Sequence, residues 1–317
     1  MKVSVVMTTY NGARFLPDML DSLRTQTREI EEMLIFDDQS KDNTAQIIKD
    51  YISEYGLTNW SLIVNEKNLG WEKNFLQGFE KATGDVIYPC DQDDIWHLDK
   101  IEKMTKAFEE NNDIWLLVSG FHAFSEYGGE MAIQNAVATE TQNTVSKVKF
   151  DEHYYVILRP GCTMGFRKNL LPLFVQNWIS GTPHDAVLWT LAALLDKLYL
   201  YDETFIEFRR HDTNASHAIS HGYMYKANEA YRTQIVNRWY LESDYYDPIK
   251  QPIIDGCNQW CILRKELLVK GKLRAWFRLF KYRKYYFTTK KYLGDIYYFF
   301  QQFKRENIIA KKGFTDT

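Results

Sequence analysis

The sequence predicts an α/β protein, a Rossmann-like mixed sheet flanked by helices, with a C-terminal helical extension. Three observations lead there. Over the first 120 residues, short β-rich runs alternate with apolar residues at helical spacing, the pattern of an open sheet covered on its faces. Each of the first four predicted strands ends in a polar cluster. Beyond about Gly222 the strand signal stops, and the chain turns helical and aromatic.

The first strand is read at residues 3–7 (VSVVM), and Phe15, Leu16, Met19, Leu20 and Leu23 then recur at helical spacing. Residues 33–36 (MLIF) form the second strand; Ile47, Ile48, Tyr51, Ile52 and Tyr55 mark a second helix, with Asp42, Asn43 and Thr44 at its N-cap. A third strand at 61–64 leads to a helix beginning near Trp71, a fourth spans 85–90, and a fifth spans 115–118. Residues 125–146 are polar and weakly periodic and read as a long loop over the site. The expected organisation is a first half at 1–120, a second half of the same domain at 121–222, and a helical, basic and aromatic extension at 223–317.

With 45% hydrophobic and 26% charged residues the chain is globular, and a net charge of −3 excludes nucleic acid as a partner of the whole chain. The opening MKVSVVMTTYNG reads as a strand and not as a cleaved signal peptide, and no apolar run reaches the roughly 18 residues of a membrane span. Cys90, Cys162, Cys257 and Cys261 lack zinc spacing and read as reduced buried thiols of a cytosolic protein.

In an open α/β sheet, ligands bind at the carboxyl ends of the strands. The four clusters lie there: residues 8–12 (TTYNG), 37–40 (DDQS), 65–70 (NEKNLG) and 91–94 (DQDD). Asp91, Asp93 and Asp94 crowd three carboxylates into four residues, and oxygen ligands of this kind suit Mg²⁺ or Mn²⁺ gripping a diphosphate.

Four ordered segments resemble inverting family 2 glycosyltransferases of the GT-A nucleotide-diphospho-sugar transferase fold: 3–12 (VSVVMTTYNG), 36–44 (FDDQSKDNT), 65–70 (NEKNLG) and 82–96 (ATGDVIYPCDQDDIW). The resemblance is close over about 120 residues and looser to about residue 220. It implies that Thr9 and Tyr10 line the nucleotide base, Asp38 contacts base or ribose, Asn68 belongs to the donor site, and Asp91 lies against ribose and metal. Asp93 is then the principal metal ligand. Thr8 and Gln39 stand where the family usually has Pro and Gly, which bears on base preference.

Residues 183–185 (PHD) lie where the family places its catalytic carboxylate, which makes Asp185 the expected general base; His184 replaces a glutamate that many relatives carry. Residues 209–216 (RRHDTNAS) resemble the Arg-His-x-x-Asn segment of rhamnosyltransferase-like members. The resemblance implies Arg210 on the diphosphate, His211 completing the metal sphere and a dTDP-rhamnose donor, with a UDP-hexose as the alternative. His211, His217 and His221 raise zinc as another reading, but no matching cysteine or histidine pair accompanies them. Residues 234–239 (QIVNRW) are one residue too long for the Gln-x-x-Arg-Trp element of processive synthases.

Residues 270–291 interleave Trp276, Phe277, Phe280, Tyr282, Tyr285, Tyr286 and Phe287 with Lys272, Arg274, Arg278, Lys281, Arg283, Lys284 and Lys290. That mixture suits an anionic membrane surface; the bland alternative is a helix with buried aromatics and a solvated basic face. The expected function is transfer of a sugar to a glycan or lipid-linked acceptor in cell-surface polysaccharide synthesis, at the inner face of the membrane. Two other classes were weighed. A nucleotidyltransferase should show a glycine-rich basic loop after the first strand, which residues 8–14 lack, and a non-catalytic nucleotide-sugar scaffold should have lost Asp91, Asp93 or Asp185.

Overall fold

The structure is a computed structural model that describes residues 1–125, 143–211 and 223–312. The chain divides into two compact units, Met1–Lys149 with Ile157–Asn214, and Phe150–Val156 with Ala215–Thr317.

In the first unit the expected parallel strands form as β1 (Val3–Thr9), β2 (Glu32–Asp37), β3 (Trp60–Val64) and β4 (Val86–Cys90). They are followed by β5 (Ile95–Trp96), β6 (Leu116–Ser125), β7 (Val145–Lys147), β8 (Met164–Arg167) and β9 (Leu198–Arg210). The sheet order is β3-β2-β1-β4-β8-β6-β9-β5, with β7 on β9. β1 and β4 are buried along their whole length, so alternation is absent and continuous apolar runs mark them instead. The mixed character comes from β8, antiparallel to both β4 and β6, while β9 returns parallel to β6.

Helices α1 (Leu16–Arg24), α2 (Thr44–Tyr55), α3 (Trp71–Lys81) and α4 (Lys100–Glu110) connect the early strands. Leu16, Met19, Leu20 and Leu23 of α1 enter the same core as Val3, Val5 and Met7 of β1. After α5 (Leu171–Asn177) comes α6 (His184–Leu194), whose residues from Ala186 to Leu194 are all buried; a helix apolar all round is a core helix.

Because β1 leads outward to β2 and β3 and the chain returns to β4 on the other side of β1, the topological switch lies between β1 and β4. Their carboxyl ends, at Thr9 and Cys90, open the crevice where such sheets take ligands.

Two local expectations change, and a third is mostly untested. The fifth predicted strand is observed as β6, which runs on to Ser125 because it pairs with β9 over most of its length. Asn43 is the N-cap of α2 but makes no side-chain cap bond; Asp42 accepts instead from Thr44 N at 3.0 Å and Ala13 N at 3.2 Å. Most of the expected loop at 125–146 lies outside the described residues.

The second unit contains α7 (Tyr223–Glu242), α8 (Gln251–Leu268), α9 (Arg274–Leu279) and α10 (Thr289–Lys312). Residues 150–156, expected with the catalytic half, belong to this unit: Tyr154 OH donates to Asn237 Oδ1 on α7 at 2.6 Å. Arg264 is its central ion. Nε and Nη2 donate to the Asp295 carboxylate at 2.7 and 3.0 Å, and Nη1 to Glu229 at 3.0 Å, which ties α8 to α10 and α7. Among the described residues no helix is long and apolar enough to cross a membrane.

Candidate active site

The donor-side loops are stitched together by their own short polar side chains. Thr9 is buried, and its hydroxyl donates to Asp37 Oδ2 at 2.9 Å. Asp38 is buried too. Its carboxylate accepts from the backbone N–H of Leu69 and Gly70, both at 2.8 Å, and from Asn65 Nδ2 at 2.9 Å. Asn68 Nδ2 donates to the Asp38 carbonyl at 3.0 Å. Of the residues expected on the nucleotide, Thr9 and Asp38 therefore shape the rim, whereas Tyr10 stands 46% exposed at its mouth. Gln92 bridges the β1–β4 switch, taking Tyr10 N–H at 2.8 Å and donating to Tyr10 O at 3.1 Å. Gln39 adopts φ 64, a left-handed conformation that a glycine takes without strain.

The acidic loop after β4 splits its carboxylates. Asp93 Oδ2 lies 2.8 Å from His211 Nε2, and the His211 ring stacks on Phe15 with centroids 4.3 Å apart. The expected metal pair Asp93 and His211 thus comes together across 118 residues. Ligand atoms of Asp91, Asp94 and Cys162 all fall within 4.8 Å of one another. Burial, then the charges of Asp93 and Asp185, push the Asp91 carboxyl up to about 7. The Asp91 residue is only half-buried, so the neighbouring charges of Asp93 and Asp185 contribute beside desolvation. Burial and the same crowding raise Asp94 well above the ordinary range.

Such a donor set fits a divalent cation. Several carboxylates compressed together and short of water are stabilised by a positive charge, and carboxylate oxygens with one imidazole match Mn²⁺ or Mg²⁺ chemistry. His217 and His221, which the zinc reading needed, lie outside the described residues.

Asp185 lies in the first turn of α6. The turn 161–163 lies against that end of the helix: a Cβ placed on Gly161 would fall 3.3 Å from Asp185 Cβ and 2.5 Å from His184 Nε2, so only glycine permits the approach. His184 is enclosed by Phe75, Phe79 and Trp71, with ring centroids 4.3, 5.5 and 6.4 Å away. Burial depresses its pKa to about 3, so the imidazole is neutral.

Two contributors escaped the sequence reading. Arg209 ties β9 to the acidic loop, donating from N to Asp94 Oδ1 at 3.1 Å and from Nε to Asp93 O at 2.9 Å, while Nη2 reaches Asp18 at 2.9 Å. Cys162 is carried to the acidic group by a turn whose carbonyl accepts from the buried Lys100 Nζ at 3.1 Å. The neighbouring Arg210 lies with Cζ 5.7 Å from the Phe208 ring centroid.

Residues 4–172, more than half of the chain, match the family described as Glycosyl transferase family 2. The chain belongs to that family. Among curated relatives, the uncharacterized glycosyltransferase alr2836 of Nostoc sp. is 32% identical over 117 residues, 37% of this chain and 36% of that one. The chain thus aligns with only about a third of that relative's length. The dTDP-rhamnosyl transferase RfbG of Shigella flexneri is 26% identical over 246 residues, 74% of this chain and 80% of RfbG. Among solved structures, S. aureus TarS 1-349 in complex with UDP-GlcNAc superposes with a TM-score of 0.63 at 18% identity, covering 90% of this chain and 81% of that one. The mannosyltransferase PcManGT from Pyrobaculum calidifontis, in complex with GDP-Man and Mn²⁺, gives 0.53 at 12% identity, covering 94% and 84%. These similarities establish the GT-A fold of this family 2 chain, with helices following the mixed sheet.

Proposed function

We propose that this chain is a metal-dependent, inverting glycosyltransferase in which Asp185 is the general base. One observation carries the reading: Asp91, Asp93 and Asp185 converge at the carboxyl edge of the sheet closely enough that the latter two raise the Asp91 carboxyl. The acceptor hydroxyl attacks the anomeric carbon, its proton passes to the Asp185 carboxylate, and the bond from that carbon to the diphosphate oxygen breaks on the opposite face. Asp93, Asp91 and His211 would hold a Mn²⁺ or Mg²⁺ ion, which when bound supplies positive charge to the departing nucleoside diphosphate. Tyr10 faces the nucleotide base, Thr9, Asp38 and Asn68 fix the loops around it, and Arg210 adds charge for the diphosphate.

The similarity to RfbG along three quarters of the chain supports dTDP-rhamnose as donor and a glycan or lipid-linked acceptor in cell-surface polysaccharide synthesis. Donor hydrolysis across a panel of nucleotide sugars, with and without Mn²⁺, tests this. Preference for dTDP-rhamnose supports the reading, preference for a UDP-hexose replaces the donor assignment, and no turnover of any nucleotide sugar rejects the enzyme.

The basic extension supports work at the cytoplasmic face of an anionic membrane. Of its aromatics, Tyr285, Tyr286 and Tyr292 are buried in the second unit, Trp276, Tyr282 and Phe287 are half-buried, and Phe277 and Phe280 stand 65% and 57% exposed. Those two are surrounded in sequence by the exposed Arg274, Arg278, Lys281, Arg283 and Lys284, and no acidic residue occurs from 267 to 294. A small apolar wedge ringed by cations matches a bilayer interface.

A further inference from the structure

Arg159 is a buried cation of the first unit that the reaction above does not use. Its side chain is 8% exposed, yet among the described residues its guanidinium donates no hydrogen bond and makes no ion pair. Two other cations of this unit are committed. Lys100 donates to Cys162 O and lies 3.1 Å from the Trp96 ring centroid, and Arg167 donates from Nε to Ile114 O at 2.7 Å and from Nη2 to Asn111 O at 3.2 Å. An arginine cannot shed its charge in a protein, and since no Arg159 nitrogen is among the fully enclosed polar atoms, this unpaired guanidinium still opens to an anion that reaches it. Asp202 acts on it from a distance, against the opposing effect of burial.

The seat is built into the sheet. The β6–β9 ladder slips register between Ser119 and Gly120, and a Cβ on Gly120 would lie 3.2 Å from Arg159 Nη1 and 2.8 Å from Glu203 O. Glycine leaves the guanidinium its space. The same short loop, residues 159–163, places Gly161 against Asp185 and Cys162 against Asp91 and Asp94. Gly120 lies on β6, two strands from β4, which at a strand spacing of about 4.8 Å puts it about 10 Å across the sheet from the strand that carries the donor-side acidic loop.

We propose that Arg159 binds an oxyanion, a phosphate or carboxylate group, carried by the acceptor substrate near the hydroxyl that Asp185 activates. This rests on the transfer reaction proposed above. The planar fork of the guanidinium suits two oxygens of one such group, and its place beside the Asp185 loop, away from the β1–β4 switch, assigns that group to the acceptor and not to the donor diphosphate.

The test is calorimetric titration of inorganic phosphate into the full chain presaturated with a nucleoside diphosphate and Mg²⁺, so that donor-side phosphate sites are filled. The wild-type protein is expected to bind phosphate, Arg159→Gln to weaken it at least about tenfold and Arg159→Lys to fall between, with the donor KM for hydrolysis unchanged. Equal phosphate binding by Arg159→Gln overturns the proposal. A parallel rise in donor KM also overturns it, since the guanidinium then serves the donor. Should Arg159→Gln fail to fold, phenylglyoxal labelling of the wild-type protein decides: phosphate must protect Arg159 from modification, and unchanged labelling overturns the assignment. Phosphate binding that depends on Arg159 in a protein that hydrolyses no nucleotide sugar keeps the anion seat, but rejects the transfer reaction and with it the acceptor assignment.

Discussion

His184 makes the stability of the first unit depend on pH in a way that one substitution should remove. Both ring nitrogens are buried without a hydrogen-bond partner among the described residues, and burial lowers the pKa from 6.5 to about 3. In the unfolded chain the imidazole gains its proton near pH 6.5, whereas in the folded chain it resists until about pH 3. The unfolded state therefore binds more protons in that window. The stability contributed by the neutral ring is complete above pH 6.5 and is lost as the pH falls toward 3. At pH 5 the loss is 1.5 pH units at about 1.4 kcal/mol each, or about 2 kcal/mol.

His184→Leu keeps an apolar side chain against Phe75 and Phe79 and cannot titrate. Native-state hydrogen exchange of the α6 amides at pH 7 and pH 5 reads the opening free energy of this region directly, which matters for a chain of two units where one global transition is not assured. The wild-type value should fall by about 2 kcal/mol more than that of His184→Leu between the two pH values. An identical pH dependence in both proteins would refute the reasoning, because His184 would then find a partner or solvent in the folded state.

Four further outcomes are expected. Asp93→Asn should abolish metal-stimulated donor hydrolysis, as should excess EDTA on the wild-type enzyme; full turnover in EDTA would remove the cation from the scheme. Asp185→Asn should retain nucleotide-sugar binding by calorimetry but lower transfer by about 10²- to 10⁴-fold, the usual contribution of a positioned base. Arg264→Ala should destabilise the second unit by about 3–5 kcal/mol in denaturant unfolding, because it strands Asp295 in the interior. Burial pushes the Glu229 carboxyl up, but Arg264, with Lys226 and Arg232, outweighs it and holds the group at about 2, so its stabilisation is present above pH 4.5 and lost as the pH falls toward 2. Phe277→Ser with Phe280→Ser, or Arg278→Ala with Lys281→Ala, should reduce sedimentation with anionic vesicles at low salt, at about 1 kcal/mol per basic residue removed. Point substitutions serve here because truncation before Gly271 would delete Tyr285, Tyr286 and Asp295 from the core of the second unit.

The parallel half of the sheet was legible because β1 to β4 are runs of five to seven residues bounded by polar turns. β5 and β7, of two and three residues, are too short to carry any period, and their pairing with β9 depends on chain more than 50 residues away. The site divides along a similar line. Asp91, Asp93 and Asp185 could be singled out because motif position marks them, and Arg209 stands in the 209–216 segment that the resemblance brings to the metal, but nothing near Cys162 signals that it will meet the acidic loop.

The motif also treats alike carboxylates that the structure separates. Asp38 and Asp91 each follow a strand in an acidic cluster, yet Asp38 is surrounded by three N–H donors, and Asp91 faces two other carboxylates. The first has its charge already balanced by the loop it folds, so a ligand gains little from displacing those donors. The second gains stability only when a cation or a proton arrives. What distinguishes a loop-building aspartate from a ligand-binding one is thus the sign of what surrounds it: Asp93 is local to Asp91, but Asp185 comes from 94 residues away and the donors to Asp38 from 27 to 32, which no local pattern encodes.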